Sequence, residues 1–404
     1  MHKNQKVTAT DADSVLTRKR LANAYLPRLA CAYVRQEIGF DQLCHYFDRV
    51  AHLYTVGIDV NAICNLSCGY CYLANYNRRT APDYIDLSAV FRFLDEVTTL
   101  GVDLVAIVGK EPFADDRGIR VLAFLDELRA KGRAFRYGVV TNGTLIDRYL
   151  DRLPRTISYV DISLDGDAKR TDLMRGVGVH KKAISALASL VERGYDTWVS
   201  SVVYSGASDP MATYEFMKNT FEMTGCDRFY LSPVRNFTGT IESALITFES
   251  LAAYQENLAR IVSQQRGVTR VILDHPYEAV WRDYIYRRGH SCATLLGELR
   301  FDGLGNILHP LSDVCFRKLD VFPHGPWGTC RIDARGEYLV DVESRTLSSP
   351  PSVGNIAVAS ALELQSTAIR EHLRPMLARF LNHMMSSRNL PTHNKALTSV
   401  SIPA

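Results

Sequence analysis

The sequence predicts an α/β protein built around a parallel sheet. From about residue 55 onward, short apolar runs bounded by turn residues alternate with longer amphipathic stretches. Six such runs and five intervening stretches follow one another along the chain. Strands that alternate with helices in this way imply parallel strands joined by right-handed crossovers. Periodicity alone leaves a partial barrel and a doubly wound open sheet as alternatives.

The predicted elements follow in strict order along this part of the chain. Short apolar runs predict six strands, at 55–60, 104–108, 136–140, 159–164, 197–204 and 228–231. Amphipathic stretches with helical spacing predict five helices between the strands, at 87–100, 119–132, 145–153, 180–194 and 210–224.

The flanking regions have a different character. Residues 1–54 are predicted to form a helical extension, and residues 241–285 are predicted to form connecting helices, because apolar residues recur at helical spacing. Residues 286–360 are rich in Gly, Pro and Cys and are expected to form a small irregular domain. Residues 361–404 are expected to be a C-terminal helix and a tail. This division leaves residues 55–240 as the central α/β domain.

Composition and charge narrow the function classes. The chain has 47 Lys and Arg against 44 Asp and Glu, a net charge of +3. So small an excess argues against a dedicated nucleic-acid binder and gives no reason to expect a membrane partner. The N-terminus is polar, and no apolar run reaches the ~20 residues that a membrane-spanning helix needs. The cytoplasm, where thiols stay reduced, is therefore the expected compartment.

Three of the nine cysteines, Cys64, Cys68 and Cys71, form a C-x3-C-x2-C array directly after the first predicted strand. Three thiolates on one loop suit a soft metal. A structural zinc site usually closes with four ligands, whereas no fourth Cys or His follows closely here. Such a set predicts an iron–sulfur cluster with one open iron. Buried cysteines and half of a zinc site are the alternatives.

This array resembles the signature of the radical SAM superfamily. The resemblance implies a partial (βα)6 TIM-like barrel, a 4Fe–4S cluster on the three cysteines, and S-adenosylmethionine bound at the open iron. It also implies that one electron, from a reductant such as flavodoxin or ferredoxin, cleaves the cofactor to a 5′-deoxyadenosyl radical that abstracts a substrate hydrogen. Tyr70 stands where the family often has an aromatic residue beside the adenine.

Short motifs after the next strands resemble the family's cofactor contacts. Gly109-Lys110-Glu111-Pro112 resembles the Gly-Gly-Glu-Pro motif, in which the glutamate binds the cofactor's ammonium. Lys110 replaces the second glycine, and its side chain either points away or enters the pocket as a cation. The remaining expected contacts are Asn142, Ser163 and Asp165 near the ribose, Arg175 at the carboxylate, and Ser200. All follow or end strands, so they are expected at the carboxyl end of the barrel.

The irregular C-terminal region contains Cys292, Cys315 and Cys330. Its segment 333–341 resembles a hairpin of the family's SPASM extension, or its shorter twitch form, from which a cysteine has been lost. The resemblance implies a second iron–sulfur cluster on the three cysteines. The residues expected to supply a fourth ligand or a catalytic base are Asp341, Glu343 and His309. A degenerate domain without metal is the alternative.

The resemblance fixes the first chemical step but leaves the substrate open. Twitch-like members often oxidise a sugar or aminocyclitol, whereas larger SPASM members often cross-link or epimerise peptides. Residues 1–54 lack the strand signals of a leader-binding winged helix. That favours a small polar metabolite of a biosynthetic pathway over a ribosomally made peptide. A non-catalytic iron–sulfur or zinc-binding protein is the alternative of another class, and the cofactor motifs argue against it.

Overall fold

The structure of the chain is a computed structural model. It describes residues 32, 36–50, 52–71, 86–234, 248–265, 270–273, 300–301, 307–308, 315–316, 327–332, 335, 337–340 and 352–373. Within these ranges, no helix is both long enough and apolar enough to cross a lipid bilayer.

The centre of the molecule is an open parallel sheet whose seven strands are neighbours in chain order. They are β1 His52–Asp59, β2 Leu104–Val108, β3 Arg136–Thr141, β4 Tyr159–Ser163, β5 Thr197–Val203, β6 Arg228–Pro233 and β7 Arg270–Leu273. A doubly wound sheet reverses its strand order at a switch point, and this sheet does not. The sequential order therefore confirms the predicted α/β partial TIM-like barrel.

Helices connect the strands. They are α1 Phe40–Val50, α2 Leu87–Thr99, α3 Arg117–Ala130, α4 Ala168–Arg175, α5 Val179–Glu192, α6 Pro210–Thr224, α7 Phe248–Gln264 and α8 Ala361–Thr367, which continues as a π-helix over Ala368–Leu373. Several begin where the sequence supplies a cap. The Asp167 side chain accepts from the backbone N–H of Arg170, and Asp209 precedes Pro210 at the first position of α6. Both features satisfy or remove N–H groups that a helix start leaves unpaired.

The hydrophobic core lies between the helices and one face of the sheet. Val160, Ile162 and Val199 are fully buried on that face. Because side chains alternate along a strand, Asp161, Ser163 and Ser200 lie on the opposite, concave face. The parallel strands thus present an apolar face to the helices and a partly polar face to the interior of the barrel.

The C-terminal strands extend both ends of this sheet. Strand β11 Trp327–Ile332 pairs parallel with β1, and an antiparallel series continues with β12 Glu337–Val340 and β13 Ser352–Asn355. At the other end, β10 Cys315–Phe316 joins β7, followed by β9 Ile307–Leu308 and β8 Arg300–Phe301. Strands β11 and β12 form an antiparallel pair around the segment where the sequence predicts a SPASM-like hairpin.

The structure corrects three sequence predictions. Residues 145–153 do not form the predicted helix. Only a 3₁₀ turn forms there, at Ile146–Arg148, ahead of Pro154. Helix α4, between β4 and α5, was not predicted. Its own sequence is mostly polar and has only a weak apolar stripe. Within the predicted connecting helices, Arg270–Leu273 is a strand, because its β-branched residues pair parallel with the free edge of β6.

Candidate cofactor site

The cysteine array lies on a loop that leaves the carboxyl end of β1. Two neighbouring segments hold this loop by backbone hydrogen bonds. The Glu111 N–H donates to the Ile63 carbonyl at 3.1 Å, and the Gly69 N–H donates to the Met174 carbonyl at 2.9 Å. The loop is therefore fixed between the β2 loop on one side and helix α4 on the other.

The three thiols of this loop are unbridged and half-buried. Burial raises the pKa of Cys64, and it raises the pKa of Cys68 to about 11 against the opposing charge of Arg175. The charge of Cys71 raises both pKa values further, so the thiols lie within electrostatic reach of one another. Since the thiolate is the form that binds metal, binding must release these protons.

This donor set fits an iron–sulfur cluster. Cluster irons are typically held by cysteine thiolates, and the site offers three of them on one loop. No three His, Cys, Asp or Glu side chains in the described ranges are arranged to hold a single metal ion. Cysteines that each bind a different iron need not meet at one point. Of the other described cysteines, Cys226 lies elsewhere, donating to the Thr197 carbonyl at the start of β5.

Glu111 is fully buried beside the cysteine loop, and its carboxylate accepts three hydrogen bonds. Oε1 accepts from the Thr141 hydroxyl at 2.6 Å and the Phe113 N–H at 3.0 Å, and Oε2 accepts from the Asn142 N–H at 2.8 Å. Burial raises the pKa of Glu111, and these three hydrogen bonds lower it. The carboxylate therefore fixes the β2 loop to the β3 loop. A role toward a cofactor ammonium stays a prediction.

Gly109 and Lys110 lie where the β2 loop meets β1. Gly109 has φ of +105°, and a Cβ atom on it would lie 2.6 Å from Asp59 Oδ1. Only glycine allows this close approach. The next residue, Lys110, is half-buried and interacts electrostatically with Asp59 and the three thiols. Whether its side chain enters the cofactor pocket stays a prediction.

A polar network joins the cysteine loop to the β3 loop. Asn142 Nδ2 donates to Asn65 Oδ1 at 2.9 Å and to Cys64 Sγ at 3.9 Å. Asn65 in turn donates to the Thr144 hydroxyl at 2.7 Å. Nearer β1, Asn61 donates to the Glu111 carbonyl at 2.8 Å. Sequence reasoning identified Asn142 but missed Asn61, Asn65 and Thr144, although all lie within three residues of a recognised motif.

Tyr70, Asp165 and Arg175 form a buried cluster on the α4 side of the loop. The guanidinium donates twice to Asp165, from Nε at 2.6 Å and from Nη2 at 2.9 Å, and lies 5.5 Å from the centre of the Tyr70 ring. The Tyr70 hydroxyl and the Val202 N–H also donate to Asp165. Burial alone would raise the pKa of Asp165, but Arg175 holds it below its ordinary value. The residues expected at the ribose and the carboxylate therefore pair with each other.

The concave face carries a carboxylate that the sequence analysis did not single out. Asp161 is 9% exposed and accepts a 2.5 Å hydrogen bond from the Ser200 hydroxyl at Oδ2, while its buried Oδ1 has no hydrogen-bond partner among the described residues. Burial raises the pKa of Asp161 to about 6. The signal for this residue was a charged side chain between two buried apolar residues of a strand.

The described residues do not test the expected second site as a whole. Cys315 lies on β10 and Cys330 on β11. These two strands extend opposite ends of the seven-stranded sheet and are not neighbours in the strand order. The other predicted members lie outside the described residues, namely Cys292, His309, Asp341 and Glu343. A second cluster stays a prediction.

Comparisons with known proteins agree with this geometry. The family model for the radical SAM superfamily matches residues 58–217. A GTP 3′,8-cyclase of Parasynechococcus marenigrum is 25% identical over 252 residues, which cover 58% of this chain and 68% of the relative. Streptococcus suis SuiB bound to S-adenosylmethionine has the same fold, with a TM-score of 0.60 and 17% identity over 84% of this chain and 73% of SuiB. So does anSMEcpe with bound AdoMet, with a TM-score of 0.53 and 16% identity over 81% of this chain and 84% of that one.

The matched domain, the barrel and the cysteine loop together define an enzyme that uses S-adenosylmethionine and a 4Fe–4S cluster. Residues 58–217 form a domain of the radical SAM superfamily.

Proposed function

We propose that this enzyme modifies a peptide substrate by hydrogen abstraction, with Cys64, Cys68 and Cys71 as the cluster ligands. When bound, the cluster and S-adenosylmethionine supply a 5′-deoxyadenosyl radical. The observation that carries the proposal is the loop of three thiols at the carboxyl end of β1, held by backbone hydrogen bonds to the β2 loop and to α4.

The chain's own residues fix this loop and the walls around it. Glu111 ties the β2 loop to the β3 loop, and Asn142 ties the β3 loop to the cysteine loop. Asp165 holds both Tyr70 and Arg175 against the other side. In this proposal the cofactor lies between those two walls. In the same proposal Gly109, Lys110, Ser163 and Ser200 are further contacts of the cofactor.

A peptide is proposed as the substrate because of the folds that the chain shares. SuiB bound to its precursor peptide SuiA aligns over 83% of this chain with a TM-score of 0.58. Native anSMEcpe with bound AdoMet and the Kp18Cys peptide aligns over 80% with a TM-score of 0.52. Alignments of this extent reach beyond the seven-stranded barrel into the flanking regions.

The second candidate is a small polar metabolite, such as a sugar or an aminocyclitol. Its support is the concave face, where Asp161 and Ser200 form a polar pair with one carboxylate oxygen lacking a hydrogen-bond partner in the described part of the chain. That oxygen is buried, so the pair supports the candidate only through the polar character that it gives to this face. The partly similar GTP 3′,8-cyclase is also named for a small substrate.

The radical chemistry is tested first without a substrate. Anaerobically reconstituted protein is incubated with S-adenosylmethionine and dithionite, and 5′-deoxyadenosine is quantified. Wild type is expected to form it, and variants with Ala at Cys64, Cys68 or Cys71 are expected to form none. The matched control is Cys44→Ala, a half-buried thiol on α1. Wild-type rates in a triple variant would disprove the assignment of the ligands.

The substrate class is tested with extract from cells grown in deuterated medium. Deuterium in 5′-deoxyadenosine reports hydrogen abstraction from an extract component. Prior digestion with a broad-specificity protease should abolish this transfer if the substrate is a peptide. Transfer that survives digestion would reject the peptide and favour the polar metabolite.

Further proposals concern the reductant, the compartment and the C-terminal region. A flavodoxin or ferredoxin in the cytoplasm would supply the electron, with no nucleic acid or membrane involved. Cys292, Cys315 and Cys330 would hold the second cluster, and Asp341, Glu343 or His309 would supply a fourth ligand or a base. Iron counting tests this: the variant lacking the three loop cysteines should retain about half of the wild-type iron, and retention of none would reject the second cluster.

A further inference from the structure

Lys110 is the place where this chain departs from the motif that it otherwise resembles. The second glycine of that motif carries no charge, whereas this chain places a lysine there. The residue before it, Gly109, packs closely against Asp59. The residue after it, Glu111, donates a hydrogen bond from its backbone N–H to the carbonyl of Ile63, the neighbour of Cys64. The backbone of Lys110 is thus fixed directly beside the start of the cysteine loop.

The Lys110 side chain lies within electrostatic range of the thiols. It is half-buried, and it interacts electrostatically with Cys71, Cys64 and Cys68 as well as with Asp59. The other cation in electrostatic contact with Cys68 is Arg175, but two hydrogen bonds to Asp165 engage that guanidinium. Among the described residues, Lys110 is thus a cation that interacts electrostatically with all three cluster ligands.

We infer that Lys110 sets the reduction potential of the cluster, raising it by placing a positive charge beside the three thiolates. This inference rests on the proposed assignment of Cys64, Cys68 and Cys71 as ligands. Reduction adds one electron to the cluster, and a nearby cation stabilises the more negative state. Asp59 acts in the opposite direction, because its carboxylate lies next to Lys110 and partly offsets its charge. Lys110 is a positioning charge in this account and binds no iron.

The test is a redox titration of the reconstituted protein followed by electron paramagnetic resonance, first without S-adenosylmethionine. Lys110→Met keeps most of the length of the side chain and removes the charge. It should lower the equilibrium constant for one-electron reduction about tenfold, a fall of about 59 mV in midpoint potential. Lys110→Arg keeps the charge and should stay near wild type. Asp59→Asn should shift the potential upward.

Each other outcome has a defined meaning. An unchanged or higher potential in Lys110→Met would overturn the inference, and so would an equal fall in Lys110→Arg, because shape would then matter more than charge. A fall seen only with S-adenosylmethionine bound would assign Lys110 to the cofactor and also overturn it. Failure of Lys110→Met to assemble a cluster would show a structural role instead. A wild-type protein with no cluster signal would reject the proposed function itself, whereas a wild-type signal with no effect of Lys110→Met would reject only this inference.

Discussion

The cysteine loop is held from two sides, and the two sides use charge differently. On the α4 side, Arg175 and Asp165 are both buried and neutralise each other through two hydrogen bonds. On the β2 side, Lys110 is half-buried and interacts electrostatically with Asp59 and with the thiols. The first pair fixes geometry, because both of its charges are engaged. In the second pair, the charge of Lys110 also acts on the three thiols, so it can affect a cluster bound to them.

The largest expected effect comes from breaking the buried pair. Asp165→Asn leaves the Arg175 guanidinium buried without a counter-charge, which should lower the free energy of unfolding by about 3–5 kcal/mol. Urea unfolding at neutral pH measures it. The control is Asp151→Asn. The Asp151 carboxylate is 88% exposed beside Arg193, so its loss should lower the free energy of unfolding by less than about 1 kcal/mol. Equal losses in the two variants would contradict the comparison.

The pH dependence of that effect follows from the lowered pKa of Asp165. A carboxyl whose folded pKa is depressed stabilises the fold above its unfolded pKa, near 3.9, and that stability is lost as pH falls through the folded pKa. The difference between wild type and Asp165→Asn should therefore be complete at neutral pH and shrink in strongly acidic solution.

Substitution of Asp161 tests whether Asp165 already neutralises the charge of Arg175. Burial raises the pKa of Asp161 to about 6 although the charge of Arg175 opposes this. A carboxyl with a raised folded pKa costs stability once it ionises, so stability should fall as pH rises from about 4 to 6. Asp161→Asn should remove that cost and gain roughly 2–3 kcal/mol at pH 8, with no gain at pH 4.

The companion variant for this prediction is Ser200→Ala. It removes the hydroxyl that lowers the pKa of Asp161, so it should destabilise the protein at pH 8. Thermal unfolding across this pH range measures both variants. A gain from Asp161→Asn that is equal at pH 4 and pH 8 would show that ionisation is not the cause.

An intermediate effect is expected from Glu111 on the β2 side. In Glu111→Gln an amide NH₂ group faces either the Asn142 N–H or the donors to Oε1, which should cost about 1–3 kcal/mol of stability. If the charge also binds the cofactor's ammonium as predicted, affinity for S-adenosylmethionine should fall about 10- to 150-fold. Calorimetric titration measures the affinity.

The control for Glu111 is Thr141→Val. It removes one hydrogen bond to the carboxylate but keeps the charge. It should lower stability while leaving most of the cofactor affinity in place. Unchanged affinity in Glu111→Gln would mean that the carboxylate acts only as the tie between the two loops.

The last prediction, of a size similar to the loss of stability expected for Glu111→Gln, concerns the close approach at Gly109. Gly109→Ala meets both a positive φ and the Asp59 side chain, whereas Gly132→Ala meets a positive φ of +88° in open space. Both variants place a Cβ atom on a backbone with positive φ, at a similar cost. The difference between their free energies of unfolding therefore measures the cost of the contact with Asp59. Gly109→Ala should lose about 1–3 kcal/mol more stability than Gly132→Ala. Equal losses would mean that Asp59 moves aside.

The fold could be predicted where local pattern and tertiary contacts agree. Helix α6 lies where its spacing predicts, starting at Pro210, because a cap and an amphipathic stripe indicate the same element. Residues 270–273 were assigned to a helix because four residues carry little periodic signal, and their pairing with β6 decides their conformation. Helix α4 was missed because it buries few side chains, notably Thr171 and Arg175.

The site shows the same division between local and long-range information. The cysteine array and Glu111 could be predicted as site residues because each belongs to a short motif. The partnership of Asp165 with Arg175 was not predicted, because the carboxylate and guanidinium were each assigned to the cofactor separately. Asp161 and Asn65 were missed because their partners, Ser200 and Thr144, are distant in sequence. Hydrogen bonds between strands and loops carry no signal in a single sequence.

The central claim is that the loop of three cysteines holds a cluster with an iron open to the cofactor. The most direct measurement is the electron paramagnetic resonance spectrum of the reduced, reconstituted protein before and after addition of S-adenosylmethionine. The account predicts a cluster signal whose g-values change on addition, and no such change in the variant with Ala at Cys64, Cys68 and Cys71. A wild-type spectrum that S-adenosylmethionine leaves unchanged, or the same change in the triple variant, would contradict it.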